Sequence, residues 1–242
     1  MQHLCIAQIT DLHITTSDGV GNFERFNQVL KNIKEDSTIN SIVISGDIAE
    51  GIEDRNIYER VKSLLDATEL SYHVMPGNHD NAALLSEVFG LQDWFIHDRL
   101  YYTEEFDFGK ILFFDTSTGE LSMEQLIWLE EECSSSYQKF LLFLHHPPVL
   151  GGIPYLDNNF ALSNLLEVQK VLKKNNNIQG IFCGHYHVER SIRLGNHIVF
   201  ITPSNAFQIV ENGDEITKIN TAPVYRKIYW DGSTMRTHIV WC

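Results

Sequence analysis

Short apolar runs that end again and again in acidic, amide or imidazole side chains constrain this chain more than any other feature. Leu4–Ile9 is followed by Asp11 and His13, Ser41–Ser45 by Gly46-Asp47, and Tyr72–Met75 by Gly77-Asn78-His79-Asp80. Lys139–Leu144 runs into His145-His146, and Ile178–Cys183 runs into Gly184-His185-Tyr186-His187. Runs this short have the length of buried strands. Helical periodicity lies between several of them, at Phe23–Lys34, Ile57–Asp66, Ala82–Phe89, Ser122–Cys133 and Ala161–Lys174, the last carrying Leu162, Leu165, Leu166, Val168, Val171 and Leu172. Strands alternating with helices predict an α/β chain, and in such sheets the loops at the carboxyl ends of the strands converge on a ligand crevice. Five polar motifs then share one rim.

Further strand-like runs at Lys110–Asp115, His197–Ile201, Tyr225–Trp230 and Met235–Trp241, the last two around Asp231-Gly232, supply enough strands for two sheets. No low-complexity tract or Pro/Gly/Ser linker divides the sequence, so residues 1–242 are expected to form one domain. With 43% hydrophobic residues the chain can bury a sizeable core. No apolar stretch approaches the ~18 residues of a membrane span, and the first residues show no basic leader, so a soluble cytoplasmic protein is expected. Cys5, Cys133, Cys183 and Cys242 are scattered, as buried thiols in a reducing compartment would be. A formal charge of −14 repels nucleic-acid duplexes and anionic membranes alike. An anionic substrate would therefore need a local positive charge, and bound metal ions are often the largest charges in a site.

Each polar motif has an ordinary reading on its own. Asp11 could cap a helix or turn, Gly46-Asp47 could form a simple turn, and His145 could satisfy itself on backbone. A metal site explains them together. Asp11, His13, Asp47 and His187 make one ligand set and Asp47, Asn78, His145 and His185 a second, with Asp47 common to both. A carboxylate has lone pairs enough to bridge two cations at the ~3.5–4 Å spacing of two-metal hydrolytic sites. If the strand before Gly184 continued, alternation would turn His185 and His187 to the same side, each towards a different ion. Oxygen and imidazole donors without thiolate suit divalent or trivalent iron, manganese or zinc. His145 and His146, adjacent on a strand, face opposite ways, so only one can readily reach the ions.

DLH, GD, GNHD, HHPP and GHYH, in that order, resemble the series DxH, GD, GNH(D/E), H and GHxH of the calcineurin-like metallophosphoesterases. QITDLH, GELSMEQLIWLEEE, LHHPP, CGHYH and TPSNAFQ extend the resemblance over nearly the whole chain to the class III cyclic-nucleotide phosphodiesterases of the Icc/CpdA type. The resemblance implies a four-layer αββα sandwich of two mixed sheets flanked by helices, with a dinuclear centre at the loop edges of the sheets. The ligand set, with Asp47 shared, also gives the reaction: a water bridging the two ions is acidified and attacks phosphorus in line. The resemblance selects His145 as the ligand of its pair and gives His79 the task of contacting the phosphate or protonating the leaving group. Asp80 is expected to cap the helix near Ala82, with orientation of His79 as the alternative.

Phosphoprotein phosphatases of the same superfamily carry GDxxDRG and RGNHE, whose arginines clamp a dianionic monoester. Here GDIAEG and PGNHD place Glu50 and Pro76 where those motifs differ, and the singly charged diester is the expected substrate. A small-molecule 3′,5′-cyclic nucleotide, cyclic AMP foremost, comes first, with a glycerophosphodiester as the alternative. Between Asp115 and Gly119 the chain has only Thr116-Ser117-Thr118, a shorter loop than those enzymes usually carry beside the pocket. A binding module that had lost catalysis would lack part of the ligand set, which here is complete. Oligomeric state is left open, a homodimer included.

Overall fold

The computed structural model describes residues 3–16, 21–51, 55–135, 138–212 and 215–242. In chain order the elements begin β1 (Leu4–Ile9), α1 (Asn22–Glu35), β2 (Ser41–Ser45), α2 (Arg55–Asp66), β3 (Ser71–Met75) and α3 (Ala82–Phe89). The short β4 (Phe95–Ile96) and β5 (Arg99–Leu100) precede β6 (Tyr102–Phe106), β7 (Gly109–Phe114), α4 (Met123–Ser135) and β8 (Phe140–Leu144). Then come α5 (Pro154–Asn159), α6 (Leu165–Lys174), β9 (Ile178–Cys183), β10 (Arg190–Leu194) and β11 (His197–Ile201). The chain finishes with β12 (Gln208–Asn212), β13 (Glu215–Ile219), β14 (Val224–Trp230) and β15 (Met235–Trp241).

Two mixed sheets result, one ordered β15-β14-β1-β2-β3 and the other β10-β11-β9-β8-β7-β6. β1-β2-β3 and β7-β8-β9-β11 pair in parallel, and antiparallel strands close the edges. Strands covered on both faces need unbroken apolar sequence, which is why SIVIS and FLLFL are buried from end to end. The sheets face each other: Arg226 Nε on β14 donates to Thr202 Oγ1, 2.9 Å away, and Gln8 Nε2 on β1 donates to the Cys183 carbonyl at 3.3 Å. On the outer faces, the Tyr225 hydroxyl meets Asn32 of α1, and His197 of β11 meets the Leu172 carbonyl of α6. Helices, sheet, sheet and helices make the four layers expected from the motif resemblance.

Cross-strand register stacks aromatic rings through the second sheet. Tyr102, Phe113, Phe143, Phe182 and Phe200 follow one another across β6, β7, β8, β9 and β11 with centroids 4.7–5.6 Å apart. Such pairs contribute about 0.5–1.5 kcal/mol each beyond the area they bury. His73 of β3 stacks on Phe113 at 4.9 Å, and burial pushes its pKa down to about 4. That histidine packs on the core's aromatic rings.

The expected helix Ala161–Lys174 begins only at Leu165, and α5 stands separately before it. Pro154 opens α5, while the Asp157 carboxylate accepts from the backbone N–H groups of Gly151, Gly152 and Ile153. The sequence alone does not mark the hairpin β12-β13 or the edge strands β6 and β10. Their half-exposed, charge-interrupted sequences, such as RSIRL and EITKI, lack a continuous apolar run, and only pairing makes them strands.

Candidate metal centre

Where β1, β2 and β9 end, the backbone turns left-handed. Asp11, His13, Asp47, His185 and His187 have φ values of 55°, 45°, 51°, 71° and 52°. Non-glycine residues in this region cost about 1–3 kcal/mol each, and they persist where surrounding structure over-determines them. The strand alternation expected for His185 and His187 does not operate, because β9 stops at Cys183 and Tyr186 N–H bonds back to the Gly184 carbonyl at 2.8 Å. Left-handed turns aim the two imidazoles instead. Glycine allows the crowding: a Cβ on Gly184 would lie 2.0 Å from Thr10 Oγ1, and one on Gly77 would lie 2.2 Å from Asp47 Oδ1.

Two donor clusters meet. Asp11 Oδ1 lies 3.1 Å from His187 Nε2 and 3.9 Å from His13 Nε2, and the two imidazole nitrogens are 3.1 Å apart. Asp47 Oδ2 lies 3.2 Å from His145 Nε2 and 3.6 Å from His13 Nε2, and donor atoms of Asp47, His145 and His185 lie within 4.8 Å of one another. Asp47 Oδ2 therefore sits between the clusters, since Oδ1 accepts the His79 backbone N–H at 2.9 Å. The other nitrogen of each imidazole is anchored. His13 Nδ1 meets Glu50 Oε2 at 2.6 Å, and the carbonyls of Ser45, Phe207 and Phe160 accept from His145 Nδ1 at 2.9 Å, His187 Nδ1 at 3.0 Å and His185 Nε2 at 3.0 Å. Such anchors fix ring orientation and tautomer for metal binding.

The donors fit a cation. Burial by itself would raise both Asp11 and Asp47, yet the imidazoles against them hold both carboxylates below their usual range. Burial opposes charge on His145, but Asp47 and Asp11 together lift it to about 10. Burial and the neighbouring His145 push His185 down to about 3, which leaves a neutral imidazole with a lone pair to give. Asn78 Oδ1 is buried with no hydrogen-bond partner. An unpaired buried polar atom costs free energy, and a cation bound there would remove that cost.

The remaining motif residues surround these donors. His146 turns away, with Nδ1 2.9 Å from Thr116 Oγ1 and its ring 4.1 Å from that of His185. The short Thr116–Thr118 loop thus backs a donor from behind. Asp80 does not cap α3; Asn81 does, accepting from Leu84 N–H at 3.0 Å. The Asp80 carboxylate is buried and accepts from Gly77, Ile48 and Ala49 N–H and from the Tyr58 hydroxyl, tying the GD and GNHD loops together. Burial, reinforced by the charge of Asp47, raises it to about 6. His79 stands edge-on to His13 with centroids 4.9 Å apart, and its Nδ1 donates to the Glu50 carbonyl at 3.2 Å.

Above this floor opens a cleft of about 180 Å³. Leu156 and Phe160 of the α5 segment form one wall, and Phe207, Ile209, Ile216 and Lys218 of the β12-β13 region form the other. None of these was singled out from the sequence. Only Phe207 lay in a quoted segment, TPSNAFQ, and the others lie in runs whose place beside the site depends on how the chain folds back.

Residues 5–189 match the family profile described as calcineurin-like phosphoesterase. The chain belongs to that family. Calcineurin-like phosphoesterases use two metal ions, and the donor set above is the candidate place for them here. A protein of Fibrobacter succinogenes called probable cyclic nucleotide phosphodiesterase is 34% identical over 98% of this chain and 93% of its own length. The Escherichia coli K12 protein called 3′,5′-cyclic adenosine monophosphate phosphodiesterase CpdA is 30% identical over 97% of this chain and 88% of its own. Among solved structures, a dimetal phosphatase from Danio rerio superimposes with a TM-score of 0.70 at 15% identity, covering 97% of this chain and 98% of its own. This phosphoesterase thus shares its fold with a protein that differs from it at most positions.

Proposed function

We propose that residues 1–242 act as one domain, a cytoplasmic phosphodiesterase that hydrolyses 3′,5′-cyclic nucleotides, cyclic AMP foremost. In this reading Asp11, His13, Asp47 and His187 hold one ion and Asp47, Asn78, His145 and His185 the other, the ions being iron, manganese or zinc. When bound, they lower the pKa of a water and neutralise charge on the phosphoryl oxygens. Asp47 would be shared by the two sites: its Oδ2 faces His13 and His145, while His79 N–H occupies Oδ1. His79, steadied by the Glu50 carbonyl at Nδ1, contributes Nε2 to the substrate. It delivers a proton to the ribose oxygen as the bond between that oxygen and phosphorus breaks.

The observation that carries the cyclic-nucleotide reading is the apolar character of the walls. Leu156, Phe160, Phe207, Ile209 and Ile216 offer surfaces for a flat nucleobase and no donors for a glycerol's hydroxyls. The names of the two relatives agree with it. A cleft of this size above a recessed floor takes a small molecule rather than a duplex, as does the overall charge of −14. The test is turnover of cyclic AMP, cyclic GMP, 2′,3′-cyclic nucleotides, glycerophosphoethanolamine and nitrophenyl phosphate by enzyme of defined metal content. Highest kcat/KM for a 3′,5′-cyclic nucleotide supports the reading. Highest kcat/KM for the glycerophosphodiester moves the assignment there, and highest for the monoester overturns both.

A further inference from the structure

The recognised motifs bring no lysine or arginine to the floor, yet one reaches the cleft from outside them. Lys218 lies on β13, directly across from Ile209 of β12. Its ammonium stands 4.1 Å from the centroid of the Phe207 ring, and it lines the same cleft as His13, Asp47 and His187. Among the lining residues it alone carries a fixed positive charge.

Its position is tied to the metal-binding floor by three links. Ile209 N–H donates to the His187 carbonyl at 3.0 Å, so the strand facing Lys218 is joined to a donor residue. The Phe207 carbonyl accepts from His187 Nδ1 at 3.0 Å, and the Phe207 ring packs on the His187 ring with centroids 4.4 Å apart. Lys218 then rests on that ring. Its charge acts on Glu50 across the cleft, but no carboxylate among the described residues lies within ion-pair distance of it, unlike Lys62, Lys110, Lys174 and Lys227. An exposed ammonium resting on an aromatic face beside a phosphoryl site is restrained while keeping its donors free. In a chain of formal charge −14, it is also the local cation that an approaching anion meets.

We propose that Lys218 is a substrate-binding residue of this phosphoesterase, pairing with a phosphoryl oxygen at the cleft mouth as a single cation, short of the arginine clamp that GDIAEG and PGNHD lack. It acts on binding, and more on a dianion than on a monoanion. The proposal rests on the phosphoester-hydrolase reading of the cleft but not on the cyclic nucleotide in particular.

Three variants separate charge from packing: Lys218→Met keeps an apolar stem on Phe207, Lys218→Arg keeps the cation, and Lys170→Met on α6 controls for net charge. Kinetics on bis-nitrophenyl phosphate and nitrophenyl phosphate, calorimetric binding of 5′-AMP, and metal content are measured for each. Lys218→Met should keep its metals and hold kcat within about twofold. KM should rise about fivefold for the diester and more for the monoester, the size expected of an exposed charge contact. Affinity for 5′-AMP should fall, the dependence of KM on salt should flatten, and Lys218→Arg should recover most of each. Equal losses in the Met and Arg variants would reduce Lys218 to a packing residue. Unchanged KM and 5′-AMP binding in Lys218→Met would remove it from the cleft's function. If nitrophenyl esters are turned over while cyclic AMP is not, the cyclic-nucleotide reading fails, and these same constants still decide Lys218.

Discussion

The floor of the cleft and its walls are built on opposite terms. The floor is polar and buried: Asp11 and His145 are fully enclosed, and Asp11, His13, Asp47, His185 and His187 sit on left-handed backbone, with every imidazole of the donor set anchored at its second nitrogen. Lys218 apart, the walls are apolar. Phe160 is 45% exposed, and what joins the walls to the floor is largely backbone, through the carbonyls of Phe160 and Phe207 and the N–H of Ile209. A floor in which every donor constrains another tolerates little change. Apart from Phe207, whose ring packs on His187, walls that hold the floor by main-chain groups can change side chains without disturbing it. The same floor can therefore serve different esters, with the walls deciding among them.

The sharpest way to break this contrast is to remove the carboxylate between the clusters. Asp47→Ala should lose both metals by elemental analysis and reduce kcat at least about 10⁴-fold, more than any wall substitution. A variant that kept two ions would deny Asp47 its shared place. His79→Ala comes next: metals retained, kcat on an unactivated diester down about 10²–10⁴-fold, and a smaller loss with a nitrophenolate leaving group that needs no proton. Near-native turnover of the unactivated diester would take His79 out of the chemistry.

Glu50→Ala tests the anchors. It removes the carboxylate 2.6 Å from His13 Nδ1, and metal affinity measured by competition with a chelator should fall about 10–100-fold. Unchanged affinity would mean that His13 needs no such support. The mildest effect belongs to the wall. Phe160→Ala keeps the carbonyl that accepts from His185, so metal content should stay native while KM for cyclic AMP rises about five- to tenfold. Glycerophosphoethanolamine, with no base to stack, should be little affected. Equal losses on both substrates would show that the wall supports the floor as well.

Asp80 and the histidine pair of GHYH show how local sequence can give the right neighbourhood for the wrong reason. Asp80 stands just before α3 and looks like its cap, but Asn81 has the geometry, and the buried Asp80 gathers N–H groups from two loops. His185 and His187 do meet the donor set, through left-handed turns rather than the alternation of an extended strand. In both cases the type of residue was legible while the backbone conformation was not, because conformation there depends on Thr10, Asp11 and Asp47 pressing against glycines far away in sequence.

By itself the sequence determined the periodicities, the two sheets' worth of strands, and a run of oxygen and nitrogen donors at successive strand ends. Those follow from local spacing, since a strand that must be buried has to be apolar and a donor that must face the rim has to come just after it. The tertiary structure decided which atom of each donor is free and what anchors the other. It also brought α5 and the β12-β13 hairpin over the floor. Nothing local in EITKI marks Lys218 as a cleft residue. Its place comes from pairing with Ile209 and from the hydrogen bond between Ile209 and His187, contacts between segments that only folding brings together.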